Sequence, residues 1–335
     1  MKKFFLIIAA ALTAAASCQK NDTVPASTEI KYNPIDLTLT ASIEGAGTKV
    51  SYTEESNVLK AAWEKGDLIS LVALDRSGDV LSNDVFSATG SGSSTQFSGS
   101  YSNPNNAASV AVFYPALTEG EGSDSTPWHS KFYDENQCFG TLYDLKKNAQ
   151  YISWGSAYQL QTKNADPSSL KNAVVMRGKV SDVSSLVSGK ASATVKSCCY
   201  VIKAKIKVPS PFKDVNYILF KTTEGTEITM SGWTNANDKF GVASYGNKYN
   251  NICIGLGEYL VKATTSGTGI TPEDGSIIAY LVGYGTDSYK ITTGTTLTVS
   301  IKSTSGKKKE TTKTLTSGIS LEPGKMYRMN IDMTK

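Results

Sequence analysis

Histidine is almost missing from this 335-residue chain, where His129 stands alone. A serine triad needs an imidazole base, and the single candidate follows a Gly-, Ser- and acid-rich stretch at 119–127 that reads as an exposed loop. No Gly-x-Ser-x-Gly elbow, P-loop or dinucleotide fingerprint occurs. No Cys-x-x-Cys pair offers the spacing of a structural zinc site. Carboxylate pairs stay open, because 30 acidic residues always offer some pair whose separation a sequence does not show. The expectation is therefore a non-enzyme without cofactor or metal. Charge is scarce as well. Only 19% of residues are charged, too few for a disordered chain, and the net charge is +4. With no basic stripe interleaved with aromatics, nucleic acid is not an expected partner. The apolar run at 4–16 is too short to span a bilayer.

What the chain has in quantity is turn formers beside β formers: 28 Gly, many Ser and Thr, and 17 Tyr. That mixture predicts an all-β protein, and the length predicts two domains. The first residues predict export. Lys2 and Lys3 precede the apolar run, which ends in Ala15-Ala16-Ser17-Cys18. This ending resembles a bacterial lipobox, so residues 1–17 read as a signal peptide, Cys18 as the lipidated N-terminus and 18–34 as a polar tether. Several acyl chains on one residue suffice for stable anchoring. Gln19-Lys20-Asn21-Asp22 resembles the short export tags of surface lipoproteins in the Bacteroidetes. The mature chain keeps Cys138, Cys198, Cys199 and Cys253, whose pairing the sequence leaves open. Alternation places Cys198 on the apolar face shared by Tyr200, Ile202, Ala204, Ile206 and Val208, as a buried free thiol, and Cys199 on the other face with Val201.

Behind the tether, Ile35, Leu37, Leu39, Ala41 and Ile43 alternate with polar residues. This period of two predicts a strand with one buried face. Structurally it reads as the first strand of a β-sandwich. It is followed at once by Gly45-Ala46-Gly47-Thr48-Lys49, a loop open to cleavage at Lys49. Further strands are expected around 68–74, 85–86, 96–99 and 109–115, the last stopped by Pro115. Residues 182–196 read as a connection between domains 35–185 and 186–335. The second domain then offers strands around Ile202, at 216–222, 228–233, 251–254, 259–263 and 276–284, and a hairpin of 296–303 with 310–315 around Gly306. The lysines at that hairpin suit the protection of a sheet edge. Tyr327, Met329, Ile331 and Met333 alternate in a final half-buried strand.

Trp63 before a Gly66-Asp67 turn and a hydrophobic strand, then Phe97-Ser98-Gly99, then Val112-Phe113-Tyr114-Pro115, resembles the fimbrillin superfamily of Bacteroidetes, the subunits of type V pili and their relatives. Residue by residue these are fold markers. Trp63 would cap a core with its indole N–H seeking an acceptor, and Gly66-Asp67 suits a turn. The resemblance implies two tandem transthyretin-like Greek-key β-sandwich domains. It also implies a precursor at the outer membrane whose first strand is lost by proteolysis and replaced by a strand from another pilus subunit, with adhesion to a host protein or glycan as the outcome. Shaft subunits of the family carry arginine in the cleaved loop; this chain has Lys49, and its first arginine is Arg76. That departure, with the short tail after Met333, leans toward a tip, anchor or accessory subunit, the alternative being a shaft subunit cut after Lys49 by a protease of broader specificity. A rival reading is a glycan-binding surface lipoprotein that does not polymerise. Its signal would be aromatics such as Trp128, Trp154 and Trp233 gathered on one face; Trp128, Phe132, Tyr133, Trp154 and Tyr158 read equally as cover for the sandwich edge, and the lone His129 has no special role.

Overall fold

Thr and β-branched residues in short alternating runs, punctuated by Gly and Pro, leave the chain little choice but pleated strands. In the computed structural model the described residues are 33–43, 51–55, 58–76, 80–114, 116, 142–145, 151–155, 160–172, 174, 176–230, 232–235, 248–249, 251–256, 268–284 and 289–335. The first strands are β1 (Ile35–Ile43), β2 (Ser51–Glu55), β3 (Val58–Ala62), β4 (Leu68–Leu74), β5 (Val80–Ala88), β6 (Ser94–Tyr101), β7 (Ser109–Tyr114), β8 (Leu142–Leu145), β9 (Tyr151–Gly155), β10 (Leu160–Gln161), β11 (Met176–Val180) and β12 (Lys190–Ser197). Then come β13 (Cys199–Lys207), β14 (Tyr217–Thr222), β15 (Thr229–Met230), β16 (Gly232–Asn235), β17 (Lys248–Tyr249), β18 (Asn251–Leu256), β19 (Ser276–Tyr284), β20 (Tyr289–Ile291), β21 (Thr296–Lys302), β22 (Lys308–Thr314), β23 (Ile319–Leu321) and β24 (Met326–Asp332). The chain is all-β in the described residues, apart from 3-10 turns at Pro167–Asn172 and Val183–Ser188.

Where the sequence predicts a sandwich for the first half, pairing runs round a closed ring in the order β1–β12–β11–β7–β4–β5–β6. The ring closes because β1 reaches two neighbours, β6 antiparallel and β12 parallel. Its interior is filled by Leu37, Leu39, Trp63, Ile69, Leu71, Phe86, Phe97 and Val112, all buried. β4 is buried on both faces beyond its first residue, as its near-continuous apolar run requires.

Residues 182–196, expected as a connection, are ordered structure. Asp182 caps the turn Val183–Ser188 by accepting from Ser184 N, and Gly189 ends it in the left-handed region at φ 75°. β12 follows directly and joins the barrel. The sequence hid it because its inward residues Ala191, Ala193 and Val195 are small and raise little hydrophobic signal.

The second half carries its own core between two sheets, β10–β18–β14–β21–β22 and β19–β13–β24. Ile202, Ala204 and Ile206 of β13 meet Ile218, Phe220, Ile254 and Val299 across the gap. The other face of β13 and β19 is used too. Cys199, Val201, Val282 and Tyr284 belong to the first core, so one end of the three-stranded sheet is covered on both faces, while Lys205, Lys207, Arg328, Asn330 and Asp332 leave the rest of the second face exposed. The expected hairpin is β21 with β22, paired from Thr296↔Thr314 to Lys302↔Lys308, and Gly306 takes φ 81° in its turn.

Candidate functional site

β1 lies in a slot whose walls are β6 and β12. Eight residue pairs join it to β6, from Ile35↔Tyr101 to Ser42↔Ser94, and six join it to β12, from Thr38↔Lys190 to Ile43↔Val195. Thr38 N donates to Gly189 O at 3.0 Å, and Ile43 N donates to Ser93 O at 3.1 Å. Leu37, Leu39 and Ala41 are buried as the alternation predicts. Ile35 and Ile43, expected on the same buried face, are only half-buried, because they stand at the two ends of the slot. Gross burial of these five side chains is worth roughly 7 kcal/mol, and ordering the strand offsets a large part of it.

The three motifs that carry the sequence resemblance converge on this strand. Trp63 is fully buried and its Nε1 donates to the carbonyl of Ala41, near the C-terminal end of β1, at 3.1 Å. The indole meets Phe97 edge-on at 5.0 Å and Tyr114 at 5.5 Å between ring centroids. Phe97 faces Leu39 across the β1–β6 ladder. The Gly66-Asp67 turn holds Trp63 in place: Gly66 takes φ 91°, and the Asp67 carboxylate accepts from Glu64 N. Gly99 lies opposite Leu37, and a Cβ there would come within 2.9 Å of Val85 O and 3.0 Å of the Phe86 ring. A side chain at 99 would therefore push β6 off its neighbour.

The slot is electrically quiet. Burial raises the Tyr114 phenol far above its ordinary range, with Asp67 and Glu64 adding to the effect. Burial, and secondarily Asp84, pushes Tyr101 up to about 12. Both phenols stay neutral in the physiological range. Asp84 itself is held by Ser102, whose N and Oγ donate to it, and by Ser82 Oγ.

Several predicted residues fall elsewhere. Cys18, Lys49, Trp128, His129, Phe132, Tyr133, Cys138 and Tyr158 lie outside the described residues, as do 45–48. Trp154 and Trp233 sit on the paired strands β9 and β16, where Trp154 faces Gly232 and Trp233 faces Ser153; their side chains, and that of Cys253, are outside the described set. Cys198 and Cys199 are both buried, and Cys198 is a free thiol. Cys198, expected among Tyr200 and Ile202, packs in the first core instead. It stands at the break between β12 and β13, where Ser197 Oγ accepts from Cys199 N and donates to Cys199 O, and the alternation restarts beyond the break. Sequence reasoning missed two features. One is the β12 wall. The other is Arg177 on β11, which is buried with its guanidinium 6.0 Å from the Phe113 ring centroid. A depression of about 470 Å³ lined by Asp75, Arg76, Asn105, Asn106, Ala107 and Ala108 lacks the apolar wall of a small-molecule site.

No family model and no curated protein matches the chain. Among solved structures it is similar to a candidate cell adhesion protein from Bacteroides ovatus, at 13% identity, covering 90% of this chain and 92% of that one with a TM-score of 0.42. It is also similar to the fimbrial anchor protein Mfa2 from Porphyromonas gingivalis, at 10% identity over 84% and 83% of the two chains with a TM-score of 0.34. A fimbrial assembly protein from Parabacteroides distasonis is similar at 12% identity over 89% and 91%, TM-score 0.34.

Proposed function

We propose that the chain is a fimbrillin-like component of bacterial surface fimbriae, non-catalytic, in which β1 is a replaceable strand. The observation that carries the reading is the β1 slot. A single terminal strand completes a closed barrel, is hydrogen-bonded on both flanks, and supplies three fully buried side chains to the core. Neither wall of the slot needs a covalent link to its occupant, so a strand of like alternation from another subunit can fill it by β-augmentation. An emptied slot exposes an apolar groove between two unpaired edges, which favours capture over remaining vacant.

In this reading Cys18 carries the lipid that holds the precursor at the outer membrane, and cleavage after Lys49 releases Ile35, Leu37, Leu39, Ala41 and Ile43 together. The transthyretin-like sandwich architecture belongs to the same proposal. Lysine in place of arginine in the loop favours a tip, anchor or accessory position, cut by a protease of broader specificity or left uncut. The partners are other fimbrial subunits, with adhesion to a host protein or glycan as the surface role.

The test is gel electrophoresis of surface-extracted protein without boiling, combined with N-terminal sequencing. Expected are ladders that collapse on boiling, with the laddered form starting at Val50 for a processed subunit or at lipidated Cys18 for an uncut anchor that caps the ladder. A protein that runs as a single band unboiled and keeps residues 35–43 in every fraction overturns the reading.

A further inference from the structure

The slot that holds β1 is not uniform along its length. Leu37 lies opposite Gly99, and Leu39 has Phe97 on one flank and Ala191 on the other. One step further, Ala41 stands between Thr95 and Ala193, three small side chains in a row across β6, β1 and β12. All three are buried, Ala41 completely. Small side chains alone leave an interior unfilled, and here the indole of Trp63, fully buried in the same core, takes up the space they leave.

Trp63 is held too firmly to step aside. Its N donates to Gly92 O at 2.8 Å, and Gly92 N donates back to Trp63 O at 3.0 Å. The indole nitrogen is engaged by the Ala41 carbonyl, and Phe97 and Tyr114 meet the ring at steep angles. With backbone, nitrogen and ring each fixed, no rotamer change makes room at Ala41. A side chain of leucine size there overpacks the barrel.

The same contact gauges register. A slip of one residue would turn the apolar face of β1 outward, so alternation already forbids it. A slip of two keeps the face, and alternation permits it. It would, however, bring Leu39 or Ile43 to the place of Ala41, against the indole. Only the observed register sets a small residue there.

We propose that the β1 slot selects its occupant by size order as well as by alternation. It takes a strand in which two large aliphatic residues at alternate positions are followed, two positions on, by alanine or glycine, and Trp63 is the residue that reads the small one. The inference rests on β1 being replaceable, as proposed above. It excludes one occupant that alternation alone would admit, the C-terminal strand of a second copy of this chain. Along Tyr327, Met329, Ile331 and Met333 no small residue follows two large ones in either direction.

Peptide exchange into the full chain tests it. A rare-cutting protease site replaces Gly45–Thr48, and after cleavage only non-covalent contacts hold β1. Labelled peptides then compete for its place in urea just below the unfolding midpoint, read by fluorescence anisotropy. The native-sequence peptide Asn33–Glu44 should enter. The same peptide with Ala41→Leu should compete about ten-fold more weakly, and Lys325–Thr334 no better than a scrambled sequence. In a Trp63→Leu chain shown to fold by circular dichroism, the preference for the native peptide over the leucine variant should shrink. A leucine variant that enters as well as the native peptide overturns the size order, and so does entry of Lys325–Thr334. If even the native peptide stays out, strand replacement itself fails and the proposal falls with it, a result distinct from entry without discrimination.

Discussion

β1 and β24 are written in nearly the same code. Each alternates apolar and polar residues along one strand. Their surroundings differ completely. β1 has a neighbour on either side and three side chains sealed in the first core. β24 has one neighbour among the described residues, and its own inward residues are half-buried, with only the following Met333 fully enclosed. Period two therefore tells which face of a strand is inward, and says nothing about whether the strand sits inside a sheet or at its margin.

The largest expected contrast is a pair of truncations. Leu39→Ala should lower the unfolding free energy by about 3 kcal/mol, because the barrel cannot close round the void. Met329→Ala should cost less than about 1 kcal/mol, since half of that side chain already faces outward. Urea unfolding of both variants measures the difference, and equal losses would erase the distinction between enclosed and marginal strands. Next comes Trp63→Phe. It removes the indole bond to the Ala41 carbonyl and leaves the larger ring's space unfilled, and should cost about 2 kcal/mol, read from the same curves.

A smaller effect sharpens the comparison at the other barrel wall. Burial, against weaker opposing effects from Arg177 and Lys196, raises the Cys198 thiol from 9.0 to about 12. The folded state then holds a proton that the unfolded chain releases, so stability is complete below about pH 9 and falls as pH rises toward 12. Cys198→Ala should flatten that decline in denaturation midpoints between about pH 8 and about pH 11. Smallest is Lys313→Ala on β22, expected within about 0.5 kcal/mol of wild type in stability. Its effect should show instead as a rise in association by light scattering, because a charged guard has left an edge.

Much of the slot was legible beforehand. The nine residues of β1 lie where their alternation puts them, and Trp63 is buried with its indole N–H on an acceptor as expected; that Phe97 and Tyr114, read only as fold markers, pack against it is the structure's addition. What the pattern could not show was the far side of the slot. β12 is a parallel neighbour roughly 150 residues away along the chain, and no local signal reports so distant a pairing. Its alanines carry half the message that leucines would. The Cys198 misplacement has a similar origin: a one-residue break shifts every side chain beyond it to the opposite face.

The hydrogen bond from Trp63 to the Ala41 carbonyl gives the molecule an optical reporter of its own. An indole enclosed in hydrocarbon emits at shorter wavelength than one touching water. Any event that withdraws residues 35–43 should therefore redden the Trp63 share of the emission of the chain's four tryptophans, isolated by Phe at Trp128, Trp154 and Trp233, and reseating of a strand should turn it blue again. Occupancy of the slot can be followed in real time through a residue already present, with no label attached.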